Sequence, residues 1–163
     1  MEISWKTTIS TQAEPGIPMT IRGIVYQKDG KTPAADVIQY VYHTDNTGHY
    51  SPSPNQKEGT VHGHLRGWMK TDVLGRYQFS SIRPAGYPNL TAPQHIHVLI
   101  KEKHKSLYWI DEYLFDDDPR LNTEERMRQE KRGGSGVIHL TKNEKGEWEG
   151  RRDIILGLNI PNY

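Results

Sequence analysis

Short stretches in which apolar and polar residues alternate dominate this chain. A period of two residues is typical of a β-strand with one buried face. MTIRGIVYQ at 19–27 and YWIDEYLF at 108–115 show the pattern clearly. The pattern predicts about eight strands, at 19–27, 37–43, 65–72, 76–82, 94–101, 108–115, 136–143 and 151–160. Strands at such close spacing favour an all-β sandwich or barrel.

Glycine, proline and aspartate mark the connections between these strands. A Leu-Gly step between 65–72 and 76–82 predicts that the two strands form one hairpin. The prolines of SPSPNQKEGT, 51–60, predict an extended loop. NTEERMRQEKRGG, 122–134, has a capping residue, strong helix formers and a glycine stop, so it predicts one short helix.

Two stretches share the pattern T-D-x-x-G-x-Y: TDNTGHY at 44–50 and TDVLGRY at 71–77. Aspartate can accept hydrogen bonds from the backbone that follows it, and glycine can adopt a positive φ. We therefore interpret the echo as shared turn chemistry, with internal duplication as the less favoured alternative.

The stretch PQHIHVLI, 93–100, places two histidines two positions apart in a predicted strand. Side chains at i and i+2 project from the same face, so His95 and His97 should lie side by side, with Ile96 on the other face. A pair of imidazoles on one face indicates either metal ligation or cross-strand packing. Imidazole suits Zn, Cu, Fe and Ni.

The composition limits which metal ligands and which binding partners this chain can have. The 163 residues fit a single domain, 1–163, and contain no cysteine, so any further metal ligands must be oxygen donors. The 21 basic and 20 acidic residues give no field that would favour nucleic acid. No apolar run is long enough to span a membrane, and MEISWKTTIS does not resemble a signal peptide, so we expect a cytoplasmic protein.

Two tyrosines occupy positions that strand packing does not explain. Tyr87 lies between glycine and proline in PAGYP, and Tyr50 ends the first T-D-x-x-G-x-Y turn. From the pattern alone, Tyr87 could equally plug a loop and Tyr50 could be a cross-strand aromatic. Two phenols combined with two imidazoles would suit Fe(III), because a trivalent cation keeps a phenol ionised at neutral pH. Glu102 is the carboxylate nearest to the histidine strand along the chain.

Four segments in order resemble the intradiol ring-cleavage dioxygenases, the catechol and protocatechuate dioxygenase group. They are IRGIVYQKDGKTPAADVIQYVYHTDNTGHYS, HLRGWMKTDVLGRYQFSSIRPAGYP, PQHIHVLI and DIILGL, which together cover about residues 20–160. The resemblance implies an antiparallel, prealbumin-like β-sandwich. It also implies Tyr50, Tyr87, His95 and His97 as ligands of a non-haem Fe(III), with Tyr77 as a core aromatic.

The resemblance further implies the reaction. A catechol-type ortho-diol would be cleaved by O2 between its two hydroxylated carbons, giving a cis,cis-muconic-type diacid, with Tyr87 accepting a substrate proton. No organic cofactor is implied. Homo-oligomerisation is expected only because such enzymes often assemble.

One departure from the family pattern concerns an arginine. It usually lies three residues before the first ligand histidine and stabilises negative charge on the substrate; here that position is Ala92. We consider Arg83 a candidate replacement, with Gln94 as a neutral alternative. Lys101, Lys103 and Arg66 remain unassigned cations that could face a carboxylated substrate.

Two rival interpretations remain open. D-G-K-T-P-A-A-D-V and the G-x-Y-x-F strand also resemble transthyretin-like or carboxypeptidase-regulatory modules, which bind without catalysis. Alternatively, His62 and His64 could join His95 and His97 in a four-histidine, cupin-like site. The run 116–118, DDD, is better explained as a solvated turn than as a calcium site.

Overall fold

The computed structural model describes residues 2–55 and 61–163. Positions 56–60, the second half of the predicted extended loop, lie outside the described residues. In the described part the elements are β1 (Lys6–Thr8), β2 (Pro18–Tyr26), β3 (Ile38–Tyr42), β4 (Arg66–Lys70), β5 (Arg76–Ile82), β6 (His95–Lys101), β7 (Tyr108–Trp109), β8 (Tyr113–Phe115), α1 (Thr123–Met127), β9 (Val137–Ile138), β10 (Thr141–Lys142), β11 (Trp148–Arg151) and β12 (Ile154–Ile155).

The strands form two sheets packed face to face. The first has the order β1-β5-β2-β11-β10, with β12 also beside β2; the second has the order β4-β3-β6-β8-β9, with β7 also beside β6. The predicted all-β sandwich with one short helix is therefore confirmed. The sheets are mixed and not purely antiparallel, because β1–β5, β2–β11, β2–β12 and β8–β9 pair in parallel.

The core lies between the inner faces of the two sheets. Ile21 and Phe79 face it from the first sheet, and Met69, Ile96 and Val98 face it from the second, all completely buried. Alternation along β6 puts its even-numbered residues into this core. The odd-numbered residues, including both histidines, project from the outer face of the second sheet.

The predicted hairpin of 65–72 with 76–82 is wrong. β4 pairs with β3 in the second sheet, whereas β5 pairs with β1 and β2 in the first. The turn between them is anchored by buried Thr71, whose hydroxyl donates to the Ala34 carbonyl and accepts from the Val37 amide. Each strand buries its apolar face in the same core from opposite sides, so the chain crosses between sheets at this turn.

The helix is shorter than predicted, five residues instead of the whole of 122–134. Asn122 caps it as expected, accepting from the Glu125 amide at 3.0 Å. Beyond the helix the chain takes another path: the Asp111 carboxylate accepts from the amides of Lys131 and Arg132, and Lys131 has a positive φ of 56°. Among the residues described, no helix has the length and apolar character to cross a bilayer.

Candidate metal centre

The two histidines of β6 lie side by side on the outer face of the second sheet. Their ring centroids are 4.7 Å apart, while Ile96 between them is completely buried in the core. The alternation predicted from the sequence is therefore what the backbone adopts. His95 is 8% exposed and His97 is partly exposed.

Each imidazole has its Nδ1 atom occupied by a fixed acceptor. The Pro93 carbonyl lies 2.7 Å from His95 Nδ1, and Glu112 Oε1 lies 2.8 Å from His97 Nδ1. A carbonyl and a carboxylate can only accept, so we assign the proton of each ring to Nδ1. Both Nε2 lone pairs are then free to bind a cation. Burial lowers the pKa of His95, which keeps that ring neutral.

Glu112 was missed by the sequence analysis. The predicted strand 108–115 is broken into β7 and β8, and residues 110–112 between them turn this carboxylate toward His97. Burial raises the pKa of the Glu112 carboxyl, but the hydrogen bond from His97 and the nearby His95 ring bring it below its ordinary value. Glu102, the carboxylate nearest along the chain, instead accepts from the phenols of Tyr108 and Tyr163.

Tyr50 is presented by a turn that one aspartate organises. Asp45 accepts from the Thr47 amide and hydroxyl, the His49 amide and the Ser51 hydroxyl, at 2.6–3.1 Å. Asp72 bonds its own turn in the same way, accepting from the amides two and four residues later. The shared turn chemistry of the two T-D-x-x-G-x-Y stretches is thus confirmed. The second tyrosine, Tyr77, is completely buried in the core.

The loop that carries Tyr87 is tied to the loop that carries Tyr50. The Thr44 hydroxyl donates to the Ala85 carbonyl at 2.7 Å, and the Ala85 amide donates to the Asp45 carbonyl at 3.1 Å. Gly48 has φ +84°, and a Cβ there would lie 2.3 Å from the Gly86 oxygen. The two loops therefore pack backbone against backbone, which fixes the backbones of the two tyrosines relative to each other.

The four side chains singled out from the sequence converge on one point. Tyr50 Oη lies 2.6 Å from Tyr87 Oη and 2.9 Å from His97 Nε2. Tyr87 Oη lies 3.0 Å from His95 Nε2 and 3.4 Å from His97 Nε2. Two oxygen and two nitrogen donors thus point into one small volume at the sheet surface.

This donor set fits a hard trivalent cation such as Fe(III). Burial, reinforced by the hydrogen bond with Tyr87, raises the pKa of the Tyr50 phenol well above its ordinary value. Its ionisation at neutral pH therefore needs a strong positive charge, which a trivalent metal provides. Among the described residues a carboxylate also completes a three-residue group with His95 and His97, since ligand atoms of Glu112 and both rings lie within 4.8 Å of one another.

The hydrogen bonds recorded for the Arg83 guanidinium go to residues other than these four donors. Its Nε donates to Gln94 at 2.7 Å, and its two terminal nitrogens bind the Asp117 carboxylate at 3.0 and 2.6 Å. Arg120, which the sequence analysis missed, instead brings Nη1 to 3.4 Å from the carbonyls of Tyr87 and Ala92. No local pattern marks it, because it lies 28 residues after Ala92.

The other histidine pair is bonded to groups that are not donors of the centre. His62 Nδ1 bonds to the Tyr40 phenol at 2.8 Å, and its ring stacks on Tyr42. His64 bonds to the Ser51 carbonyl and to Glu14, at 2.7 and 2.9 Å. These contacts do not support the four-histidine, cupin-like site.

A protein-family model described as Dioxygenase matches residues 4–125, about three quarters of the chain. Among curated proteins, catechol 1,2-dioxygenase 2 of Acinetobacter lwoffii is 35% identical over 74 residues, 45% of this chain and 26% of that protein. The protocatechuate 3,4-dioxygenase beta chain of Burkholderia cepacia is 25% identical over 123 residues, 71% of this chain and 52% of that protein. The chain thus spans between a quarter and about half of these relatives' lengths.

Solved structures share the fold. The dioxygenase domain of a dioxygenase–carbohydrate-binding fusion from Streptomyces sp. SirexAA-E matches with a TM-score of 0.73 and 21% identity, covering 91% of this chain and 85% of that one. 3-Chlorocatechol 1,2-dioxygenase of Rhodococcus opacus 1CP matches with a TM-score of 0.69 and 21% identity, covering 91% and 62%. The family match favours a dioxygenase over a transthyretin-like module: this chain belongs to the intradiol ring-cleavage dioxygenase family.

Proposed function

We propose that this protein is a non-haem Fe(III) dioxygenase that cleaves a catechol-type ortho-diol between its two hydroxylated carbons. The observation that carries the proposal is the convergence of Tyr50, Tyr87, His95 and His97 on one point. Family membership supports the reaction class, and relatives matched over part of their length include catechol and protocatechuate dioxygenases.

In the proposed reaction the carbon–carbon bond between the hydroxylated carbons breaks, and each carbon gains one oxygen atom from O2. The diol is oxidised by four electrons and O2 is reduced by four, so the product is a cis,cis-muconic-type diacid and no further reductant is required. When bound, Fe(III) supplies the Lewis acidity and electron withdrawal that make a diol ring carbon reactive toward O2.

The chain's own groups would hold the ligands and move the protons. The Pro93 carbonyl and Glu112 keep both rings as Nδ1–H tautomers, so the Nε2 atoms bind metal without losing a proton. Tyr87 is our candidate acceptor of a substrate hydroxyl proton at its Oη. That oxygen contacts three other donors, and it is carried by a loop instead of a strand, so it can rotate away with little cost to the sheet.

Arg83 was expected to stabilise negative charge on the substrate. All three guanidinium nitrogens bind Gln94 or Asp117, so we now propose that Arg83 acts through Gln94, the residue before His95. Gln94 is itself fixed by its amide, which donates to Asp118 at 2.6 Å. If Arg83→Ala turns over catechol at the wild-type rate, this positioning role is wrong.

The decisive experiment combines metal analysis, absorption spectroscopy and oxygen uptake. We expect one iron per chain, a wine-red phenolate-to-Fe(III) absorption band, and O2 consumption with at least one of catechol, protocatechuate, hydroxyquinol or a larger diol. Tyr50→Phe and Tyr87→Phe should each weaken the band. Tyr108→Phe, which removes a phenol bound only to Glu102 among the recorded contacts, is the matched control and should keep the colour.

An iron-loaded protein that is colourless would refute the two-phenolate ligand set. Absence of stoichiometric iron, with no diol oxidised, would instead favour a non-catalytic β-sandwich module.

A further inference from the structure

The outer face of the second sheet carries a row of three aromatic side chains and one leucine, where an exposed sheet face is usually polar. The register aligns one residue from each of four neighbouring strands: Trp68 opposite Tyr40, Tyr40 opposite Leu99, and Leu99 opposite Trp109. We call these four residues the aromatic strip. Across three strand spacings of about 4.8 Å the strip is about 14 Å wide.

The ends of the aromatic strip are open to solvent. Trp68 is 48% exposed and Trp109 is 45% exposed, while Leu99 between them is only 7% exposed. The outer face of the first sheet offers a contrast, since its central positions are polar, with Thr20, Arg22, Gln78 and Ser80. Among the described residues, the two tryptophans with the greatest exposure both lie on the second sheet, and such a patch of exposed rings indicates a binding surface.

The aromatic strip continues directly into the candidate metal centre. The next row of the same face contains Tyr42 and His97, whose rings stack at 4.6 Å. Trp109 lies 5.9 Å from the His97 ring, and Tyr40 lies 5.6 Å from Tyr42 and 4.6 Å from Trp68. All of these separations fall in the range of direct aromatic contact.

We propose that the aromatic strip binds a planar aryl substituent of the substrate, so that the preferred diol carries a second aromatic ring. This inference rests on the proposed function, because the diol end is placed at Tyr50 and Tyr87. A single catechol ring at those phenols lies beside the row of Tyr42 and cannot also cover the row of Tyr40. Two residues along a strand span about 6.6 Å, which a second, directly attached ring bridges.

The chemistry of the strip selects this occupant. Flat rings and one leucine offer stacking and apolar contact, and the Tyr40 phenol is already engaged by His62 Nδ1 at 2.8 Å. A planar aromatic ring gains from such stacking and from the apolar area that it covers.

The test compares a one-ring diol, catechol, with a two-ring diol, biphenyl-3,4-diol, by oxygen uptake on iron-loaded protein. We expect the wild type to have a KM at least about ten-fold lower for the two-ring diol. Trp68→Ala and Trp109→Ala should each reduce that preference about five- to ten-fold, and Trp68→Phe should retain most of it. Trp148→Ala, on the other sheet, should leave the preference unchanged.

A second measurement does not depend on catalysis. Biphenyl-4-ol, which lacks the ortho-diol, should quench the tryptophan fluorescence of the iron-free protein saturably, and Trp68→Ala and Trp109→Ala should weaken its binding about five- to ten-fold. Circular dichroism checks that each variant is folded. If none of the diols reacts but biphenyl-4-ol still binds, the proposed function is refuted and the aryl site is not.

Three results would overturn the aryl site. These are equal KM values for the two diols in the wild type, unchanged biphenyl-4-ol binding in both tryptophan variants, or a loss of oligomerisation in those variants without any change in the KM ratio. The last result would identify the aromatic strip as a subunit interface.

Discussion

Replacing Glu112 tests the most specific feature of the candidate centre, the control of an imidazole tautomer by a carboxylate. Glu112→Ala removes the only recorded acceptor of His97 Nδ1, at 2.8 Å. His97 should then lose its preference for the Nδ1–H form, and part of its population should carry the proton on Nε2, where the metal would bind. His95 serves as an internal reference, because its acceptor is the Pro93 carbonyl.

The expected loss of iron affinity follows from the strength of the His97–Glu112 hydrogen bond. A hydrogen bond to a charged group is worth about 1.5–3 kcal/mol. The Glu112 side chain is 40% exposed, so screening by water lowers the expected loss to about 1–2 kcal/mol. At about 1.4 kcal/mol per factor of ten, iron affinity should fall about 5- to 30-fold, which agrees with typical effects of groups that orient metal ligands. Glu112→Gln keeps a carbonyl acceptor and should lose less than half of this free energy.

Two assays measure the effect of Glu112→Ala on the His97 tautomer and on iron affinity. Nitrogen-15 NMR of the iron-free protein reports the tautomer of each histidine, and competition with a chelator reports iron affinity. Glu102→Ala is the matched control, since that carboxylate bonds only Tyr108 and Tyr163 among the recorded contacts. If Glu112→Ala leaves His97 in the Nδ1–H form and changes iron affinity less than two-fold, the carboxylate does not orient this ligand.

Three further perturbations test the loops around the centre. Gly48→Ala should lower the free energy of unfolding by more than about 2 kcal/mol and reduce the iron bound per chain, because the new Cβ would meet the Gly86 carbonyl. Gly146→Ala is the control: its φ is similar and nothing lies within 4 Å, so it should cost only about 1–2 kcal/mol and leave iron binding intact. Denaturant unfolding and metal analysis measure the two effects. Burial lowers the pKa of His43 from 6.5 to about 4. Its contribution to folding stability is therefore full above pH 6.5, declines as the pH falls and levels off near pH 4, a loss of up to about 3 kcal/mol over about 2.5 pH units. His43→Gln should remove this slope from the pH dependence of the free energy of unfolding. Asp45→Ala should cost about 1–3 kcal/mol and weaken iron binding, because four hydrogen bonds of the 45–51 loop lose their acceptor; an equal iron affinity to wild type would show that this turn does not hold Tyr50 in place.

Local geometry explains why much of the candidate centre could be predicted from the sequence. The H-x-H spacing places His95 and His97 on one face of any strand, because side chains alternate with a period of two. The aspartate turns were equally predictable, since Asp45 and Asp72 bond amides within four residues of themselves. That Tyr50 and Tyr87 belong with the histidines came from family resemblance, not from these local rules.

The wrong predictions, a hairpin and a longer helix, concern segments whose backbone groups bond to distant parts of the chain. The strands on either side of Gly75 look like a hairpin, yet each pairs with a partner in a different sheet. Helix formers continue past Met127, but the amides of Lys131 and Arg132 bond to the distant Asp111 carboxylate and not to helix carbonyls. Propensity describes each segment in isolation, whereas the pairing that buries the most apolar surface depends on the whole chain.

The sequence by itself determined the strand alternation, the paired imidazoles, the turn that presents Tyr50 and, through its motifs, the family. Only the tertiary structure decided that Glu112 and not Glu102 supports His97, that Arg83 is paired with Asp117, and that Trp68 and Trp109 lie in one row beside the centre. The reason is physical: strand period and turn bonding act over two to four residues, while these contacts join side chains that become neighbours only once strands and loops distant in the chain have paired.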